Sequence, residues 1–147
     1  MPVLVPILLV FIAGALVALQ APTNSILAKA GNSAILAALI SFCIGTVALF
    51  LAWFASSSRP GAEAFAGLPW YAWLGGLYGA VFVAVAAYAA PKIGVASLIT
   101  VGIAGQIAMA LWLDHVGAMG LAREPVSLGR LIGALMVVAG VVLVRRN

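Results

Sequence analysis

The sequence predicts an all-α integral membrane protein, and its composition and the spacing of its apolar residues support this. Of the 147 residues, 66% are hydrophobic and only 7% are charged, whereas a soluble domain carries about 25% charged residues. The apolar residues form stretches that meet or approach the ~20 residues of a membrane-spanning helix. These predict a single five-helix transmembrane domain with approximate spans 3–29, 33–55, 70–90, 93–115 and 128–144.

The first stretch is interpreted as a retained helix with polar residues near its end. Gln20, Pro22 and Asn24 interrupt the apolar run, which then resumes, so the helix is expected to continue to about Lys29. Pro22 has no N–H to donate to the carbonyl one turn earlier, and it is therefore a candidate helix break. Residues 30–33 are expected to form the turn into the second helix.

The remaining helices are separated by short polar segments. The second helix ends at the polar run 56–61, and Pro91 and Lys92 separate the third stretch from the fourth. A second loop covers 117–127, and the last helix ends before Arg145. Five spans place the two chain termini on opposite sides of the membrane.

The basic residues are divided almost equally between the two sides. Arg59, Arg123 and Arg130 share the N-terminal side, and the opposite side has Lys29, Lys92, Arg145 and Arg146. Because the Lys/Arg bias between loops sets orientation, this split predicts insertion in both orientations. An antiparallel homodimer of ten helices, with the inverted-repeat geometry of many transporters, would follow. The alternative is that charge position outweighs charge number and one orientation dominates.

Two groups of glycines are candidate helix contacts, since small residues allow membrane helices to approach closely. Gly75 and Gly79 are expected to pack within the chain. Gly129, Gly133 and Gly140 lie on one face of the last helix and are a candidate dimer interface, with packing inside the chain as the alternative.

A few polar residues fall inside the spans, where they are costly and mark either a pathway or a helix contact. Gln20 and Asn24 on the first helix, Ser41 on the second and Gln106 on the fourth are the candidates for a substrate pathway. Uncharged amides suit a neutral or zwitterionic solute, or one whose charge is met by backbone dipoles at the Pro22 break. The alternative is that they bond neighbouring helices, at roughly 1 kcal/mol each.

The ionisable residues give little sign of chemistry. No acid lies at the middle of a span, and Asp114, at the end of the fourth helix, is either a surface partner of Arg123 or Arg130 or a coupling group. Neither a nucleophile set nor a metal-ligand cluster is visible, and Cys43 is the only cysteine. No enzymatic activity, metal or cofactor is therefore expected. The basic residues form no single face, so nucleic acid is not an expected partner.

The order of these motifs resembles a known family over nearly the whole chain. The segment from Gly14 to Leu27 has the pattern G-x5-Q-x-P-x-N-x2-L. It is followed, in order, by Ser41, Phe42, Ile44 and Gly45; Trp70, Gly75, Gly76 and Gly79; Gly105 and Gln106; Asp114, His115, Gly117 and Gly120; and Arg130, Gly133 and Gly140. Together they resemble the YdcZ-type family of the drug/metabolite transporter superfamily.

Together with the residues themselves, that resemblance leads us to predict a multi-pass protein of the bacterial inner membrane that moves a small solute by alternating access. The family is similar to the small multidrug-resistance exporters, whose short chains assemble antiparallel. Those exporters carry a membrane-embedded Glu in the first helix, where this chain has Gln20, so cation/proton antiport is not implied. A passive channel and a non-transporting subunit of a larger complex are the alternative functions. The expected partners are the lipid bilayer, a second copy of the chain and the solute.

Overall fold

The structure, a computed structural model, describes residues 4–146, with side chains described as far as Val144; Val3, the first residue of the predicted first span, lies outside the described residues. Five α-helices follow one another: α1 (Leu4–Ala30), α2 (Ala34–Ala55), α3 (Gly75–Ile93), α4 (Val95–Val116) and α5 (Leu128–Arg146). Short 3-10 turns cover Ala62–Phe65, Trp70–Leu74 and Ala118–Gly120. No strand occurs between residues 4 and 146, and the prediction of an all-α fold is confirmed.

Four helical segments are long and apolar enough to cross a bilayer. They are Leu4–Ala30, Ala34–Ala55, Trp70–Ile93 and Val95–Val116. The apolar part of α5, Leu128–Val144, is shorter. Four of the five predicted spans are therefore clear candidates, and the fifth is an apolar helix near the lower limit of spanning length.

Helix α1 remains helical across Pro22. The single hydroxyl proton of Thr23 is shared between the carbonyl oxygens of Leu19 and Gln20, at 3.1 and 2.9 Å. The role of Pro22 as a helix break stays a prediction.

The turn between α1 and α2 is short and is closed by hydrogen bonds. The N–H of Ser33 donates to the Ala28 carbonyl oxygen at 3.0 Å, and the Ser33 hydroxyl accepts the N–H of Leu36 at 3.1 Å. Ser33 is thus the N-cap of α2, a position for which serine is favoured. Helices α1 and α2 pack against each other across this turn.

The prediction that Pro91 and Lys92 separate two helices is wrong, because both belong to α3. The helix ends at Gly94 instead, whose φ of 80° suits glycine. Pro91 cannot donate to the carbonyl of Ala87, one turn earlier, and that carbonyl accepts a hydrogen bond from the hydroxyl of Ser25 on α1 at 3.2 Å. With an outside donor for this carbonyl, α3 continues through its proline.

The chain forms two units, residues 1–92 and 93–147. In the first unit the buried apolar side chains are small: Ala21 on α1, Ala37 and Ala38 on α2, and Val83, Ala86, Ala87 and Ala90 on α3. Small side chains let membrane helices approach until dispersion holds them together. In the second unit α4 packs on α5.

Of the glycine pair on α3, only Gly79 faces another helix. A Cβ added to Gly79 would lie 3.2 Å from Cζ of Phe42 on α2, whereas a Cβ on Gly75 would have nothing within 4 Å. Gly79 therefore sets how closely α3 approaches α2 at Phe42.

We expect Gly79→Val to destabilise the protein by about 1–3 kcal/mol, the usual effect of overpacking a close contact. Gly75→Val is the matched control, because it changes the same helix by the same side chain in open space. Thermal unfolding in detergent micelles measures both. Equal melting temperatures for the two variants would contradict the contact between Gly79 and Phe42.

Candidate functional site

Three polar residues of α1, namely Gln20, Asn24 and Ser25, lie on the face that is packed inside the first unit. Asn24 is only 3% exposed and Ser25 only 7%, and Gln20, one turn before Asn24, is half-buried. Residues four apart share a helix face, so the Gln20 and Asn24 amides lie on the same side of α1. The predicted pairing of these two amides is therefore compatible with the geometry, and their role in a pathway stays a prediction.

Ser41 lies on the packed side of α2. It is half-buried and follows the fully packed Ala37 and Ala38 by four and three residues, which places all three on one helix face. The first unit thus carries three of the four predicted pathway residues on packed helix faces.

Ser25 is the residue that the sequence analysis missed. Its hydroxyl proton is shared between the carbonyl oxygens of Ala21 at 2.8 Å and Ala87 at 3.2 Å. The second bond joins α1 to α3 directly. The available sequence signal was Pro91, which identifies Ala87 as a carbonyl that needs a donor, although the donor's position cannot be inferred from sequence spacing.

Gln106, the fourth predicted pathway residue, belongs to the second unit. It lies at the centre of α4 and is exposed in the single chain. Among residues 4–146 no group forms a hydrogen bond with its side-chain amide. Half-buried Gly102 lies one turn earlier. Lipid cannot form a hydrogen bond with such an amide.

Charged residues join the ends of α4 and α5. The Arg130 guanidinium contacts Asp114 Oδ2 at 3.2 Å and also pairs with Glu124, and Nε of Arg123 donates to the His115 carbonyl oxygen at 3.1 Å. Arg130 and Asp114 are both more than a third exposed, and such pairs contribute about 0–1 kcal/mol.

Asp114 therefore has Arg130 as its partner, one of the two that the sequence suggested. The backbone adds to this arrangement, since the N–H of Glu124 donates to the Asp114 carbonyl oxygen at 2.8 Å. These bonds fold the loop after α4 back onto its end. A coupling role for Asp114 stays a prediction.

The glycine face of α5 is open in the single chain. A Cβ on Gly133 or Gly140 would meet nothing within 4 Å, and on Gly129 it would meet only Oγ of Ser127, at 4.0 Å. The half-buried residues of α5 are Arg130, Ala134, Val137, Gly140 and Val141, so its packed side includes Gly140 and borders the rest of the stripe. Gly129 and Gly133 are exposed and available to another helix, and the role of the stripe in a dimer stays a prediction.

The helices and polar residues define a multi-pass membrane protein with uncharged polar groups inside its bundle. Over residues 5–143 the chain matches the family profile described as "Putative inner membrane exporter, YdcZ". The chain belongs to this family, which confirms the resemblance drawn from its motifs and is consistent with the drug/metabolite transporter superfamily. No curated protein and no solved structure matches it.

The family assignment makes the chain a membrane transporter of the inner membrane rather than an enzyme. The long apolar helices agree with this location. Within residues 4–146 no three His, Cys, Asp or Glu side chains are grouped so that they could hold a metal ion.

If Gln20 and Asn24 line a pathway, cysteines at these positions will be reached by water. In a Cys43→Ala background we expect Gln20→Cys and Asn24→Cys to react with a hydrophilic thiol reagent at least about ten times faster than Leu19→Cys, because only the thiolate reacts. Leu19 is the control, since it is 62% exposed on an outer, apolar position of the same helix. The rates are measured in native membranes by a gel-shift assay. Equal rates at all three positions would make the two amides helix contacts only.

Proposed function

We propose that this chain moves a small neutral or zwitterionic solute across the inner membrane by alternating access, as an antiparallel homodimer of ten helices. The observation that carries the proposal is the Gln106 amide, which lies at the centre of α4, exposed and without a partner among the described residues. Exposed apolar side chains are at home in lipid, whereas a primary amide with four unmet hydrogen bonds is not.

The cost of that amide argues for a pathway. Removing an amide from water without a compensating hydrogen bond costs about 2–7 kcal/mol, depending on the reference state. A partner chain, a solute or water in a pathway would each remove the cost. Because Gln20 and Asn24 are also uncharged amides on a packed face, the same chemistry recurs on α1, and a hydrogen-bonding solute matches both sites.

The distribution of acids argues for a solute that is not exchanged against protons by a buried carboxylate. The three acids of the sequence are Glu63, Asp114 and Glu124. Glu63 lies in the 3-10 turn after α2, and the other two pair with Arg130 at the end of the second unit's helices. Mid-span positions carry amides and hydroxyls instead.

Two features support the antiparallel homodimer. The Lys/Arg residues divide three to four between the two sides, which gives the insertion machinery little preference for either orientation. The glycines of α5 leave a stripe with open space at Gly133 and Gly140, and such stripes allow helices to pack at short distance. An inverted pair of this kind has the symmetry that alternating access uses.

The orientation of the chain tests the dimer. With Cys43→Ala as background, single cysteines at Ser57 and at Asn147 report the two sides of the membrane in intact cells; Asn147 itself lies outside the described residues. A membrane-impermeant thiol reagent should label about half of the molecules at each position, since neither orientation is favoured. Full labelling at one position and none at the other would overturn the homodimer and point to a partner chain of opposite orientation.

Substitutions at Gln106 and at Gly133 should affect solute uptake and dimer formation, respectively. We expect Gln106→Leu to abolish saturable solute uptake into proteoliposomes while the dimer remains intact.

Gly133→Leu should raise the dimer dissociation constant about tenfold through overpacking, and Ala139→Leu, an exposed position off the stripe, is its control. Cross-linking and native mass spectrometry measure the dimer. Loss of the dimer in Gln106→Leu would make Gln106 a helix contact, and uptake without saturation in the wild type would identify a channel.

A further inference from the structure

A cavity of about 340 Å³ lies in the first unit, where the end of α1, the start of α2 and the last turn of α3 meet. This volume is in the range of sites for small ligands. The polar part of its lining comes from Ser25, Lys29, Asn32, Ser33, Tyr88 and Lys92. In the sequence Lys29 and Lys92 entered only as charges that influence orientation; in the fold they line one cavity although 63 positions separate them.

Within the part of the chain that the structure describes, the two lysines have no acidic partner. The salt bridges within residues 4–146 both use Arg130, in the other unit. The only acid in residues 4–92 is Glu63, which lies in the turn that follows the far end of α2. Two like charges beside one cavity repel each other, and an anion placed in that cavity would interact favourably with both.

The backbone adds positive potential at the same place. The Ser33 hydroxyl caps the N–H of Leu36. The N–H groups of Ala34 and Ile35, at the first positions of α2, have no acceptor inside the helix, because no helical residue lies four positions before them. Ala34 lines the cavity. The start of α2, a helix of 22 residues, presents the positive end of its dipole there, an arrangement that suits anions.

Tyr88 holds one of the ammonium groups in place. Nζ of Lys92 lies 3.4 Å from the centroid of the Tyr88 ring, one helical turn earlier on α3, and both residues line the cavity. A cation–π contact of this kind restrains a flexible lysine. A lysine that only anchors a helix end at the membrane surface needs no such restraint and no cavity.

We infer that this cavity binds a phosphate-class anion at the membrane surface. The lysines, the free N–H group of Ala34 and the Asn32 and Ser33 side chains match the oxygens of such a group. The same chemistry is offered by the headgroup of an anionic phospholipid and by a free phosphorylated solute, and basic pockets between transmembrane helices are known to take lipid headgroups. The inference does not depend on the mode of transport proposed above.

The test compares anion binding by the purified full chain and a charge-neutralised variant. Native mass spectrometry from detergent micelles containing equal amounts of phosphatidylglycerol and phosphatidylcholine measures the bound lipid. A second arm measures the rise in melting temperature with inorganic phosphate in lipid-free zwitterionic detergent. We expect Lys29→Gln/Lys92→Gln to weaken binding about thirty-fold, the effect of two surface lysines on an anionic lipid.

Two matched variants separate the site from general charge. Arg59→Gln/Arg123→Gln removes two positive charges from the loops and should bind as the wild type does, and Lys29→Arg/Lys92→Arg keeps the charge and should retain most of the binding. If the double glutamine variant fails to fold, the single variants Lys29→Gln and Lys92→Gln replace it, each with an expected loss of about fivefold.

Each outcome decides the proposal. Retention of phosphatidylglycerol over phosphatidylcholine that is lost only in the lysine-to-glutamine variants supports it and identifies a lipid headgroup as the source. A phosphate-dependent rise in melting temperature that is lost in the same variants supports it and identifies a free anion. No preference in either arm, or an equal loss in the arginine-to-glutamine control, overturns it.

Discussion

A buried backbone carbonyl needs a hydrogen-bond donor, and this requirement shapes the first unit of the protein. Pro91 leaves the Ala87 carbonyl without its usual donor, and Ser25 supplies one from α1. That bond requires the polar face of α1 to turn towards α3, and Asn24 is buried with Ser25 as a result. Because small residues such as Ala87 and Ala90 line the contact, the two backbones can approach closely enough for the bond to form. The packing of α1 against α3 thus depends on Pro91, Ser25 and the alanines of α3 together.

The second unit has charged side chains at one end and mostly apolar side chains along the rest of its two helices. Arg130 pairs with Asp114 and Glu124 where α4 ends and α5 begins. These side chains are exposed enough for water to screen their charges. Away from this end the packed side chains of α4 and α5 are mostly apolar or small. The side chain of Gln106, on α4, is polar and exposed. Lipid tolerates the exposed leucines and valines of this unit but does not hydrogen-bond an amide. Gln106 therefore differs from the exposed side chains around it, and this difference supports the proposal that it lies on the solute pathway.

Long-range contacts mark the limit of what the sequence could predict. Hydropathy predicted the helices, since α1, α2 and α4 need only length and apolar character to be recognised, and the motif order predicted the family. The end of α3 was missed because a proline followed by a lysine is locally typical of a helix end. The donor that allows the helix to continue is Ser25, which lies 62 positions before the Ala87 carbonyl that it bonds. Lys29 and Lys92 present the same difficulty, since their shared cavity depends on how α1 and α3 pack. The pairing of Asp114 with Arg130 was within reach, because the two residues flank one short loop.

The lysine cavity also bears on how an antiparallel dimer would meet the two leaflets of the membrane. The cytoplasmic leaflet is richer in anionic lipid, and a basic site facing it gains about 1 kcal/mol for each lysine. If the cavity holds a lipid headgroup, a cavity with Lys29 and Lys92 towards the cytoplasm binds that headgroup more tightly than the inverted cavity does. In an antiparallel dimer the two cavities would lie at opposite surfaces and would be unequally filled, so that a symmetric pair of chains would experience an asymmetric membrane. A symmetric assembly could in this way acquire a preferred resting state without any difference in sequence between its subunits.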